Sequence, residues 1–406
     1  MQKFQFMQRI ITSYLIIVGI MAHFAVIVAI IAALKYFQLT PNQLVVKVVE
    51  KSQIDTPWLV DAIAPKARFS DHILDGQIRA TYPRILLPEL SGWPGQGQPD
   101  LIAKRIALFQ KQGIHDFDPC IPSQNVLLLA VCWISSGNPQ VASQLIVALK
   151  NFQLQTPTAS GGYGNGWELA LAYDLVANFR GMSVDDRTLV ESKIENALTG
   201  YLQLLDDSSP SLWHGRASLA AMAWLAAATL NTHDNRHLQS LVSRAQGHFL
   251  DLIRALEITE AWPEGYNYWI QNRGMIISLA ASAYINGLAN AKHQDRIRTL
   301  LRRTGLWHIY ATRPDNRIEN LGDEGSRVDL KDETRRVIDL IAQMTRDPVF
   351  SGYSRYLQQL HGAESYYAGY RWGIRLFNDP TLPSSAFTAS GNEPKKESAS
   401  LVFLDT

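Results

Sequence analysis

The densest cluster of side chains able to do chemistry is AWPEGYNYWIQNRG, from Ala261 to Gly274. Pro263 suits the first turn of a helix, and Glu264 behind it suits the positive end of the helix dipole. In a continuing helix Glu264, Tyr268 and Asn272 stand four apart, share one face and present a carboxylate, a phenol and an amide together. Tyr266, Trp269 and Arg273 flank that stripe. Rings at a helix start often only pack, with their polar tips bonded locally. So many polar and aromatic groups in so short a span favour a site.

Three further segments offer reactive or binding groups. LWHGRAS places His214 and Arg216 just ahead of an alanine-rich stretch. A lone His at a helix start is commonly a cap or a packing residue, yet its charge change near neutral pH makes it a ready proton acceptor. NRIENLGDEGSRVDLKDE holds Asn320, Asp323, Glu324 and Arg327 in a glycine-punctuated loop. Carboxylates there would bind a sugar, a cation or an arginine, or simply cap a solvated helix. GGYGNGWELALAYD offers Tyr163, Asn165, Trp167 and Glu168 at a glycine-rich helix entry. It lacks the Lys-Ser/Thr ending of a phosphate loop, so Trp167 reads as a packing ring or as a stacking platform at a cleft mouth. No HExxH, no GxSxG elbow and no regularly spaced His/Cys cluster occurs, which removes the commonest protease and esterase readings. Neither a metal nor a cofactor is expected.

These segments, in this order, resemble the heparinase II/III and alginate lyase families over roughly residues 80 to 380. YPRILLP from Tyr82 to Pro88 is similar to the start of their toroid domain. GWELALAYD is similar to their early alanine-rich helix ending near Tyr-Asp. WHGRASLAAMAWLAAATL resembles the segment carrying their active-site His, with Trp213 where those families often have Asn. WPEGYNYW resembles the segment carrying their catalytic Tyr, and NLGDEGS a Gly-Asp loop further along. The resemblance implies β-elimination on a uronic-acid polysaccharide. Tyr268 would be proton donor or base and His214 its counterpart. Arg216, Arg273 or Asn272 would neutralise the substrate carboxylate. Glu264, Tyr266, Trp269, Trp167, Tyr163, Asp323, Glu324 and Arg327 would line the substrate path. An anionic polysaccharide is the expected partner, with proteins of a polysaccharide biosynthesis or export system as further candidates.

Two other readings stand beside it. A glycoside hydrolase would pair Glu264 with Asp323 or Glu324 as acid and base. A non-catalytic, membrane-anchored component of exopolysaccharide assembly would bind sugar without turning it over.

The elements that must position these groups read as helices. Apolar residues recur at three- and four-residue steps in NVLLLAVCWISSG, QVASQLIVALKNFQ, ELALAYDLVANF, TLVESKIENALTGYLQLL and RASLAAMAWLAAATL. They recur likewise in DLIAKRIALFQKQG, HLQSLVSRAQGHFLDLIRALEI, GMIISLAASAYINGLANA, DRIRTLLRRTGLWHIYA, DETRRVIDLIAQM and YSRYLQQLHG. Successive helices with short Gly, Pro, Asn or Asp breaks predict stacked hairpins. No fixed sequence period marks an open solenoid, so the expected fold is all-α: an α/α toroid, an incomplete ring of helical hairpins. The stretch Ala217 to Ala228, apolar nearly all round, should be buried among neighbours.

Ahead of that domain, Ile10 to Leu34 runs without a charge. As a helix it rises roughly 37 Å, enough to cross a hydrocarbon core of about 30 Å. An uncleaved signal anchor is expected, because no small-residue cleavage site follows. Flanking lysines and arginines do not set the orientation; the carbohydrate reading puts the bulk of the chain outside the cytoplasm, in the periplasm. The expected layout is an anchor over 1–35, a connection over 36–80, the toroid over 81–380 and a polar tail over 381–406. Net charge +1 with scattered arginines excludes nucleic acid as the main partner. Cys120 and Cys132, the two cysteines, either pair in an oxidising compartment or remain buried thiols.

Overall fold

The computed structural model describes residues 73–86, 120, 123–157, 164–207, 214–232, 235–259, 261–312, 334–366 and 370–385. The chain divides into two units, Met1–Ala67 and Arg68–Thr406, and every described residue belongs to the second. The expected anchor and the expected helix over 100–113 lie outside the described residues. Among the described residues no helix is long and apolar enough to cross a membrane.

The described chain is mostly helical, as its periodicity requires. Helix α1 (Val126–Ser136) starts where the Asn125 side chain accepts from the Leu127 and Leu128 amides, two donors with no partner inside the helix. It ends at Gly137, whose φ of 65° costs least without a Cβ. Asn138 then caps α2 (Pro139–Asn151), with Pro139 in the first turn, where its missing N–H does no harm. Three residues thus make a helical hairpin. Helices α3 (Gly166–Val176), α4 (Val184–Asp207), α5 (His214–Thr229) and α6 (Arg236–Thr259) follow. A short helical turn, α7 (Tyr266–Tyr268), passes into a π-helical turn, Trp269–Arg273, and then into α8 (Gly274–Gly287). Last come α9 (Gln294–Tyr310), α10 (Thr334–Thr345), α11 (Pro348–His361) and α12 (Gly373–Phe377).

The helices pack in two rows. α1, α3, α5, α8 and α10 are neighbours in that order, and α12 touches both α10 and α1. α2, α4, α6 and α9 form a second row, each beside the next. The middle of the first row is buried all round: every residue of α8 and every residue of α5 after His214 is buried. Alanines along α5 let neighbouring helices approach closely at interior packing density. Trp224 fills the space they leave, stacking on Phe249 from α6 and meeting Tyr284 from α8. At about 25 cal/mol per Å², a ring burying around 200 Å² contributes roughly 5 kcal/mol. The second row is amphipathic, with Leu238, Leu241, Val242, Ala245, Phe249 and Ile253 of α6 facing inward at helical spacing.

Three links tie the segment before α1 to this stack. β1 (Gln77–Ile78) pairs antiparallel with β2 (Leu288–Ala289), Gln77 opposite Ala289 and Ile78 opposite Leu288. The expected helix over 274–291 therefore stops at Gly287. Asp174, buried in α3, accepts from the backbone amides of Arg84 (2.8 Å) and Ile85 (2.9 Å), and burial pushes its carboxyl up to about 6. Tyr82, after which the Tyr82–Pro83 bond is cis, sets its ring edge-on to Tyr173 and donates to the Thr229 carbonyl. Cys120 and Cys132 form a disulfide, which decides between the two readings of these residues.

Candidate active site

The structure brings His214, Glu264, Tyr268 and Arg273 together. His214 opens α5, and its imidazole lies flat on the Tyr268 phenol, centroids 4.6 Å apart and planes 13° apart. Its Nδ1 stands 2.8 Å from Glu264 Oε1. A carboxylate only accepts, so Nδ1 carries the proton and Nε2 is the basic nitrogen of neutral His214. The Arg273 guanidinium sits 5.1 Å from the Tyr268 ring centre, a cation over a π face. Glu264 Oε2 is buried and accepts no hydrogen bond.

The path of the chain through 261–274 differs from the expected continuous helix. Gly265, with φ 89°, breaks it, so Glu264 lies in the turn before α7 rather than on a helical stripe with Tyr268. The following π turn winds Trp269–Arg273 more widely than an α-helix. Gly274 is needed there, because a Cβ would come within 2.7 Å of the Trp269 carbonyl and 2.8 Å of its indole. Such turns cluster at functional sites.

Two buried side chains that the sequence reading missed hold this turn. His308, in the last turn of α9, takes the Trp269 indole N–H at Nδ1 (3.1 Å). Indole nitrogen only donates, so Nδ1 is unprotonated and Nε2 donates to the Tyr266 hydroxyl at 2.9 Å. Burial pushes His308 down to about 3, which keeps it neutral. Arg336, in the first turn of α10 and fully buried, donates from Nη2 to the Ile270 carbonyl at 3.1 Å. Its guanidinium also lies 4.3 Å from the Tyr370 ring, and that ring stacks on Trp167 at 6.5 Å. The starts of α3 and α10, the segment before α12 and the π turn therefore meet along one line of contacts. Beside Trp167, burial raises Glu168 to about 7, so its carboxyl is half protonated near neutrality.

Several expected site residues stand elsewhere. Tyr266 and Trp269 are about 1% exposed and bonded to His308, so in this structure they support the turn from within the core. Trp167, 3% exposed, is a packing ring against Tyr370. Arg216 is buried and donates to the Leu205 carbonyl at 2.9 Å. There, burial lowers its pKa while Asp251 and Asp206 oppose the shift. Asp206 also takes Arg244 and His248, and burial with Arg216 nearby pushes His248 down to about 4. This polar cluster pins α4, α5 and α6. Asn165 is committed to the loop before it, accepting from the Gln155 amide and donating to the Gln153 carbonyl. Tyr163, Asp323, Glu324, Arg327 and the side chain of Asn272 lie outside the described residues. Among the described residues no three His, Cys, Asp or Glu side chains gather as a metal site.

Compared with protein-family models and with curated proteins, the chain matches none.

Proposed function

We propose that this protein is a polysaccharide lyase of the heparinase II/III-like kind, built on an α/α toroid, cleaving a uronic-acid-containing polysaccharide by β-elimination. The observation that carries the reading is the His214–Tyr268 stack, with Glu264 on the far nitrogen of the imidazole and Arg273 over the phenol. The toroid is supported by the neighbour order of the first helical row, whose last member α12 lies against both α10 and α1.

In this reading Arg273 offsets the charge of the substrate C6 carboxylate, which makes the C5 proton acidic. His214 Nε2 removes that proton, and Glu264 steadies the imidazolium that forms. The C5–H electron pair becomes the C4=C5 double bond as the C4–O4 bond breaks. Tyr268, a phenol that ordinarily keeps its proton at neutral pH, donates it to the departing oxygen. Two proton carriers this close fit within the span of one sugar residue. The Cys120–Cys132 disulfide favours an oxidising compartment, in keeping with an anchor at Ile10 to Leu34 and a helical domain outside the cytoplasm.

The test is to incubate the full chain, in detergent, with uronate-containing polysaccharides and follow the ultraviolet absorbance of the unsaturated product. A rise that Tyr268→Phe abolishes is expected. New reducing ends without that absorbance would move the assignment to a hydrolase. Affinity for a polymer without either product would make the protein a binding component.

A further inference from the structure

We infer that His308 is a positioning residue for Tyr268, gripping through its two ring nitrogens the residues on either side of it. The inference rests on the proposed role of Tyr268 as a proton carrier. His308 is completely buried, in the last turn of α9 beside Trp307. Its partners are Tyr266 and Trp269, which share one helical face three residues apart and bracket Tyr268.

Two hydrogen bonds have a fixed direction: Trp269 donates to Nδ1, so Nε2 donates to the Tyr266 hydroxyl. Turning the imidazole over, or moving its proton to Nδ1, would strand the buried Trp269 N–H. The rings reinforce this: Tyr266 meets His308 edge-on at 5.0 Å, and Trp307 meets both Tyr266 (6.1 Å) and Trp269 (6.2 Å). The backbone between Tyr266 and Trp269 is held at both ends, and Tyr268, partly exposed on the other side, is aimed at His214. Packing alone would be met by any flat ring of this size. The directed chain requires an acceptor and a donor on opposite edges.

That difference sets the experiment. His308→Phe keeps a ring and removes both hydrogen bonds, whereas His308→Gln keeps an acceptor and a donor and loses the ring. Turnover in His308→Phe should fall on the order of a hundredfold in kcat with KM little changed, as expected for a misplaced reacting group. His308→Gln should recover most of it. Nitration of Tyr268 by tetranitromethane, located by peptide mass, should speed up several-fold in His308→Phe and stay near the parent rate in His308→Gln. In the parent, nitrogen NMR of labelled histidine should find the His308 proton on Nε2. Full activity in His308→Phe with a weaker His308→Gln, or a proton on Nδ1, would overturn the inference. If the parent turns over no polymer, the lyase reading falls by itself, and the nitration ranking and the tautomer still decide the positioning role.

Discussion

Replacing Gly274 by alanine sets two opposed effects against each other. Inside a helix the change should stabilise by about 1 kcal/mol, since alanine loses less conformational freedom on folding. At this position the new Cβ would lie 2.7 Å from the Trp269 carbonyl and 2.8 to 2.9 Å from its indole ring. Neither atom is the free end of a flexible chain: the carbonyl is backbone, and the indole is tied to His308. Overpacking of this sort costs about 1–3 kcal/mol. If the indole shifts to make room, a buried N–H loses its acceptor at roughly 1–3 kcal/mol more. The balance is a net loss of about 3 kcal/mol, a fall in Tm of roughly 5 °C for a domain this size. Gly200, within α4, provides the control. Among the described residues its added Cβ would meet only Pro157, at 3.7 Å and beyond, an ordinary contact. Gly200→Ala should therefore gain up to about 1 kcal/mol. Thermal melts of the two variants, followed by helical circular dichroism, should move in opposite directions from the parent. Equal stabilisation of both would refute the steric account of the π turn.

Glu168 gives a pH-dependent prediction. Burial raises it from the usual 4.5 to about 7, so the folded protein holds this proton more tightly than the unfolded chain. Its favourable contribution is complete below pH 4.5 and lost as the pH rises through 7. Glu168→Gln, neutral throughout, should be more stable than the parent by about 3 kcal/mol at pH 8, with the gap closing by pH 5. A gap independent of pH in chemical denaturation would show that Glu168 is not desolvated. The Cys120–Cys132 link closes a separation of 12 residues. Reduction, or Cys132→Ala, should cost about 2–3 kcal/mol. Melts with and without reductant check it, and a parent that reacts with thiol reagents when unfolded without reductant would contradict it.

Much of this fold is legible in the sequence because it depends on local pattern. Period marks the long helices and caps such as Asn125 and Asn138 mark where some of them start, and the alanine run from Ala217 to Ala228 reads as buried without any knowledge of its neighbours. The meeting of His214 with the 261–274 segment was expected only through ordered motifs, since nothing local joins residues so far apart. Other features were open to helix geometry. Arg216, two residues after His214, points to a different side of α5, where it bonds the Leu205 carbonyl. Tyr266 and Trp269, three apart, share a face turned away from Tyr268 by the same rule. His308 continues the inward stripe of Ile297, Leu301 and Thr304, which marked it as buried but not as bonded. The π turn was hidden because the groups that hold it come from distant elements: His308 on the Trp269 indole and Arg336 on the Ile270 carbonyl. A fully buried Arg336 likewise runs against the usual exposure of its residue type.

The π turn also makes the site a matter of counting. A π turn holds one residue more than the α-helix it replaces, so the span from Tyr268 to Gly274 carries a phase as well as a composition. Deleting one residue there would let the turn close to ordinary helix while Tyr268 and α8 kept their phase, because the wide turn already absorbs the extra residue. The same deletion from the regular helix of α8 has no such slack. Everything before it would swing by about 100° and draw in by about 1.5 Å. Tyr268 would be carried off the face of His214 without any of the four assembled side chains having changed. A change of length should therefore be tolerated within the π turn and not in the helix that follows it.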